Sequence, residues 1–182
     1  RKMSTNDHVI GKILFTEAEI RKRAEELGRE ISNEFKGEEL VVIGTLKGSV
    51  PWMCDLMKCL DLDTVNDFVK ASSYGTSTTT SGVVKISMDT ELNLYNKNVL
   101  VVEDIVDTGT TLKYLLEKLN ERHPKTLKVC TMLDKPSRRT ADFHADYIGF
   151  QVEDLFVIGY GLDYDQKYRN LPYISYLQNE GK

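Results

Sequence analysis

The chain has 182 residues, 41% hydrophobic and 29% charged, with a formal net charge of −4. That length suits one domain, 1–182, with a single core, and the acid excess argues against a nucleic-acid-coating surface. No apolar run approaches the roughly 20 residues needed to span a bilayer and no secretory signal stands out, so a cytoplasmic protein with no membrane partner is expected.

Arg1-Lys2 ahead of Met3 reads as a tag remnant. Thr16-Glu17-Ala18-Glu19 has capping-box spacing, and Ile20, Ala24, Leu27, Ile31 and Phe35 recur at helical intervals, which predicts an amphipathic helix over 17–36. Leu40-Val41-Val42-Ile43-Gly44 is nearly all apolar, as in a strand buried on both faces. Pro51 suits the first turn of a helix running to about Leu60. A strand over 67–72 then leads into Ser73–Gly82, which has no aliphatic side chain and reads as a polar, mobile loop. Strands follow at 83–88 and 99–102, and next comes a helix with Leu112, Leu115, Leu116 and Leu119 on one face. Further strands are expected at 127–133, 147–150 and 156–158. Strands alternating with helices predict an α/β fold with a largely parallel central sheet.

The three cysteines form no C-x-x-C pair and read as reduced thiols. The three histidines, His8, His123 and His144, are scattered and offer neither a metal cluster nor a His-based triad.

Chemistry concentrates in Val99–Thr111. There a hydrophobic strand ends in Glu103 and Asp104, a third acid follows at Asp107, and Thr108-Gly109-Thr110-Thr111 turns into a helix. Ligands of an open parallel sheet bind beyond the carboxyl ends of its strands. A turn opening a helix presents free N–H groups and the positive end of the dipole, so it suits a phosphate monoester. The preceding acids would repel that phosphate. A carboxylate only accepts hydrogen bonds, so neighbouring sugar hydroxyls are their natural partners. Phosphate, diol and acid in this order suggest a ribose 5-phosphate site. The bland alternative is a plain strand–turn–helix, capped by Asp107 or Thr108, with Glu103 and Asp104 solvated. Competing phosphate motifs fail: Gly44–Ser49 lacks Walker A spacing, and no G-x-G-x-x-G occurs.

Val101–Thr111 resembles the phosphoribosyl-pyrophosphate signature of type I phosphoribosyltransferases, in the short form of the hypoxanthine-guanine branch. Leu46-Lys47-Gly48, Ser72-Ser73-Tyr74-Gly75, Asp134-Lys135-Pro136, Phe156–Tyr164 and Lys167–Pro172 extend the likeness over nearly the whole chain. The resemblance implies the family fold: a central, mainly parallel sheet flanked by helices, with a small hood. It implies purine salvage, with phosphoribosyl pyrophosphate and a purine base as substrates, Mg²⁺ as cofactor, no nucleic-acid partner, and a homodimer or homotetramer.

It also implies roles. Thr108, Gly109, Thr110 and Thr111, with Asp107, hold the 5′-phosphate; Glu103 and Asp104 hold the ribose. Lys47, preceded by a non-proline cis peptide, contacts pyrophosphate with Gly48 and Arg169. Lys135 meets the purine 6-oxo group, Phe156 stacks on the ring, the Val157 carbonyl accepts from a 2-amino group, and Asp163 completes the base site. Asp163 binds Mg²⁺, with Glu103 and Asp104 as further metal residues. Asp107 is the general base, and Ser73 and Tyr74 begin a flexible catalytic loop over 73–82. Each residue also has a plain alternative: solvated lysines at 47 and 135, a core aromatic at 156, a surface ion pair between Asp163 and Arg169. The rival functions are a regulator of this fold that binds nucleotide and RNA, and an enzyme preferring xanthine.

Overall fold

The computed structural model of the protein describes residues 9–74 and 83–178. Most of the expected loop, 75–82, and Arg1-Lys2 lie outside the described residues. In chain order the elements are β1 (Val9–Ile10), α1 (Glu17–Glu34), β2 (Leu40–Thr45), α2 (Val50–Lys58), β3 (Thr64–Tyr74), β4 (Val83–Met88) and β5 (Asn98–Val106). They continue with α3 (Thr110–Asn120), β6 (Thr126–Asp134), a 3₁₀ turn (Pro136–Arg138), β7 (Tyr147–Gln151), β8 (Val157–Ile158) and β9 (Ser175–Gln178).

Six strands form one sheet in the order β4-β3-β2-β5-β6-β7, parallel throughout except for the antiparallel β3–β4 hairpin. A second antiparallel sheet, β1-β9-β8, makes the hood. Strand periodicity divides the core in two, because successive side chains point to opposite faces. Val41, Ile43, Val69, Val99, Val101 and Val129 pack with Leu112, Leu115 and Leu119 of α3 on one face. Leu40, Val42, Leu100, Val102, Cys130 and Met132 meet Ile20, Ala24, Leu27, Ile31, Trp52, Met53 and Leu56 of α1 and α2 on the other. Helices on both faces explain why these strands read as unbroken apolar runs. Among the described residues no helix is long and apolar enough to cross a membrane.

The Thr16 cap is as expected, its hydroxyl accepting from the Glu19 N–H, although α1 ends at Glu34, where Phe35 caps it. Two other boundaries differ in ways that matter. The central strand does not end at Val102: the β5–β6 ladder continues through Glu103↔Thr131, Ile105↔Leu133 and Val106↔Asp134, so the acids lie within the strand. Ser73 and Tyr74 are not loop residues either. They pair with Val84 and Val83 at the end of β3, because an antiparallel edge ladder draws on backbone groups and tolerates polar side chains on a solvated face. The two-residue β1 and the four-residue β9 were not anticipated; strands that short carry no usable periodic signal.

Candidate active site

Two adjoining cavities, of about 350 and 650 Å³, open beyond the carboxyl ends of β2, β5 and β6. Asp104, Ile105, Asp107 and Asp163 line both, so they form the ridge between them.

The first cavity ends on the turn after β5. Gly109 adopts φ +82 as N-cap of α3 and is buried, which lets the chain reverse tightly into the helix. Gly109 has no side chain to cap the helix, and the Thr110 N–H makes only a long 3.4 Å contact to the Thr108 hydroxyl. The first-turn donors are therefore available to an anion. Thr108, Gly109 and Thr111 line this cavity, whereas Thr110 lines a separate depression with Val83, Lys113 and Tyr114. The wall of the first cavity is thus made by Thr108, Gly109 and Thr111 and not by Thr110.

Glu103 and Asp104 form the floor, both half-buried. Glu103 accepts from the Thr45 hydroxyl at 2.7 Å, and Asp104 accepts from the Ile105 N–H at 2.7 Å. Both carboxyls are held above the ordinary carboxylate range. Burial is the main cause for each; the Asp104 charge adds to it for Glu103, and the Asp163 charge for Asp104, where the Ile105 N–H bond and Arg169 oppose it. These acids are not the solvated pair of the bland alternative.

Asp107 stands on the ridge with one carboxylate oxygen, Oδ1, buried and without a hydrogen-bond partner. A buried polar atom left unpaired is uncommon and calls for a reason.

Opposite the turn, Lys47 and Gly48 follow a cis Leu46–Lys47 peptide. The exposed Lys47 ammonium donates to Gln166 Oε1 at 3.2 Å. Arg169 donates to the Gly161 carbonyl at 2.7 Å and to Gln166 Oε1 at 3.2 Å, and lies 3.2 Å from the Asp163 carboxylate. Two glycines bring these segments together. A Cβ on Gly48 would lie 1.8 Å from Asp104 Oδ2, and one on Gly161 would lie 2.0 Å from the Gly48 carbonyl.

The second cavity is of another kind. Lys135 is 6% exposed, and its ammonium donates to the Leu155 carbonyl at 2.8 Å, with Asp154 3.8 Å away. It is no solvated loop lysine. Phe156 is 53% exposed and meets Tyr164 edge-to-face with ring centroids 5.5 Å apart, so it is not a core aromatic. An exposed ring on a cavity wall suits a flat heteroaromatic ligand. Val157, in β8, is buried and lines the same wall.

Ser73 and Tyr74 do not reach either cavity; Tyr74 is 60% exposed, and β3 contributes Ala71 instead. The edge pairing described above holds both residues in the hairpin. Conversely, Thr45, Ile105, Arg138, Asp154 and Tyr164 line the cavities and Gln166 bonds Lys47 and Arg169, although none of them was assigned a role from the sequence. Thr45 and Ile105 had a usable signal, their places toward the carboxyl ends of buried strands; the others depend on where distant loops return.

Among the described residues no three or more His, Cys, Asp or Glu side chains gather to hold a metal by themselves. Glu103, Asp104 and Asp163 are therefore not an all-protein cage, since Glu103 is drawn to Thr45. Asp104 and Asp163 remain as hard oxygen donors on the ridge. That set fits Mg²⁺, which takes one or two carboxylates and completes its shell with water and substrate oxygens.

Residues 12–165 match the family model described as "Phosphoribosyl transferase domain". The hypoxanthine-guanine phosphoribosyltransferase of Bacillus subtilis is 48% identical over 171 residues, covering 94% of this chain and 95% of that one. A crystal structure of a hypoxanthine-guanine phosphoribosyltransferase from Bacillus anthracis superposes with a TM-score of 0.90 at 46% identity, covering 93% of this chain and all of that one. The hypoxanthine phosphoribosyl transferase of Trypanosoma cruzi superposes with a TM-score of 0.89 at 40% identity, covering 97% and 95% of the two chains.

Proposed function

This chain belongs to the phosphoribosyltransferase family, and we propose that it transfers the 5-phosphoribosyl group of phosphoribosyl pyrophosphate to N9 of hypoxanthine or guanine, releasing pyrophosphate. The observation that carries this reading is the ridge. Asp107, with its unpaired buried oxygen, separates an anion-binding cavity from one walled by an exposed aromatic ring.

The 5′-phosphate rests on the N–H groups of the Thr108–Thr111 turn and on the hydroxyls of Thr108 and Thr111. Asp104 and Glu103 accept from the ribose hydroxyls, and ordering the diol fixes C1′ over the ridge. Lys47 and Arg169 lie across the cavity from that turn, where the pyrophosphate charge falls; the guanidinium offers a fork matched to phosphate oxygens. Mg²⁺, held by Asp163 and Asp104, supplies further neutralisation of the leaving group when bound.

In the second cavity Phe156 stacks on the purine and Lys135 donates to its 6-oxo group. A 6-amino group presents a donor to that same ammonium, so adenine is rejected. As N9 attacks C1′ and the C1′–O bond to pyrophosphate breaks, the base loses its N7 proton to the Asp107 carboxylate, which lines both cavities. A carboxylate is an ordinarily weak base, and an oxygen buried without a hydrogen-bond partner disfavours the ionised form, which makes the carboxylate readier to take a proton.

Salvage in the cytoplasm and assembly as a homodimer or homotetramer belong to the same reading; sedimentation of the purified protein checks the assembly. The decisive test is a spectrophotometric assay of hypoxanthine, guanine, xanthine and adenine with phosphoribosyl pyrophosphate and Mg²⁺. Turnover of hypoxanthine or guanine with none of adenine is expected. No turnover of any base would overturn the reading.

A further inference from the structure

Arg139 lies behind the site and lines neither of the two cavities, while its neighbour Arg138 faces the second. Its side chain is 11% exposed and is bonded three ways. The Nε donates to the carbonyl of Asp107 at 3.1 Å, one terminal nitrogen donates to the Phe143 carbonyl at 2.7 Å, and the other pairs with the buried Asp134 carboxylate. Its Cδ lies 3.1 Å from where a Cβ on Gly109 would sit. The next two residues reinforce the contact, Thr140 and Ala141 both donating their N–H to the Thr108 carbonyl at 3.1 Å.

A buried ion pair is weak support for stability, since desolvating two charges offsets much of their attraction. What this one provides is geometry. Asp107 Oδ1 has no hydrogen bond, so no donor on that oxygen orients it. Its aim therefore depends on the backbone that carries it, and Arg139 grips that backbone at the Asp107 carbonyl. The same guanidinium holds Asp134, the residue immediately before Lys135, whose own N–H donates to the Val106 carbonyl at 2.9 Å. A planar fork reaches these acceptors together, and an ammonium cannot.

We infer that Arg139 is a positioning residue, locking the Asp107 backbone and the Thr108–Gly109 turn in register with the Asp134-Lys135 segment. The inference rests on the assignment of Asp107 as the base. Misplacing a catalytic group by about 1 Å costs up to about 100-fold in rate.

The test is a cycle of Arg139→Lys and Asp107→Asn, with kcat and both KM values measured for each variant. Arg139→Lys keeps the charge opposite Asp134 and should fold, lose about 10- to 100-fold in kcat and hold its purine KM within about threefold. In the Asp107→Asn background the same change should cost little more, because groups acting as a unit are non-additive. Losses that multiply across the cycle overturn the inference. So does a folded Arg139→Lys with kcat within about twofold of the parent, and so does a failure of that variant to fold, since either assigns Arg139 no positioning role. Unchanged kcat in Asp107→Asn alone instead overturns the assignment of Asp107, whatever Arg139 does.

Discussion

Gly161 makes a close backbone contact with Gly48, and Gly161→Ala, read against a control, tests its part in both stability and turnover. Gly161 sits at φ +98, where an L side chain is strained, and its added methyl would lie 2.0 Å from the Gly48 carbonyl and 3.0 Å from Pro51 Cδ. Gly37, after α1, has φ +79 with nothing within 4 Å of its Cβ position. Gly37→Ala therefore measures the backbone cost alone, about 1–2 kcal/mol, and should leave kinetics untouched. Gly161→Ala carries that cost and a steric one. The Cβ–oxygen separation must open by more than about 1 Å to reach ordinary contact, so the Lys47-Gly48 loop moves away from Asp163 and Arg169. Each kcal/mol lowers Tm by about 2–4 °C in a domain of this size, so Gly37→Ala should lose about 2–8 °C and Gly161→Ala visibly more. Displacement of that order at a phosphate-binding loop should reduce kcat/KM for phosphoribosyl pyrophosphate by about 10- to 100-fold. Thermal melts and initial-rate kinetics on both variants decide it. Equal Tm losses, or an unchanged kcat/KM in Gly161→Ala, would refute the close approach as the device that joins the Lys47-Gly48 and Gly161–Arg169 segments.

Three further outcomes are expected. Asp107→Asn should lower kcat by at least about 100-fold with much smaller changes in substrate affinity, the general range for a lost acid–base group; unchanged turnover removes it from that role. Lys135→Ala should relax discrimination against adenine, read as the hypoxanthine-to-adenine ratio of kcat/KM, and an unaltered ratio counts against the 6-oxo contact. Glu103→Gln keeps an acceptor for Thr45 and removes an ionisable carboxyl. Because burial raises the Glu103 pKa in the folded chain, both states are protonated in strong acid. As pH rises the unfolded chain ionises first, so the group's contribution to stability falls with pH. The Tm gain of the variant over the parent should therefore grow between about pH 5 and about pH 9, and a gain independent of pH would contradict the burial argument.

Much of the sheet was legible in the sequence because its strands are buried on both faces, so their apolar runs announce themselves without context. The turn after β5 was legible for a similar reason. An anion site at a helix N-terminus is built from consecutive residues, and Thr108–Thr111 carry its chemistry wherever the chain folds. Even there the helix turn divides the residues, since Thr111 lines the first cavity and Thr110 a separate depression.

Other features emerged only in three dimensions. The β5–β6 ladder carries β5 through its acids, and burial then raises their pKa values, a consequence of neighbours that no local pattern encodes. Ser73 and Tyr74 look like loop residues because polarity reads as exposure, yet backbone pairing places them in a strand. Lys135 and Phe156 show the same limit in reverse. A lysine is expected in water and a phenylalanine in the core, and here Lys135 is buried and Phe156 exposed.

The sequence by itself determined the α/β class and the Thr108–Thr111 turn that opens α3, because periodicity and a contiguous motif are local properties. Only the tertiary structure decided which residues complete the site. Gly48 against Gly161, Arg139 behind Asp107, and Lys135 against Leu155 meet across the fold, and contact between distant residues is settled by packing, not by order along the chain.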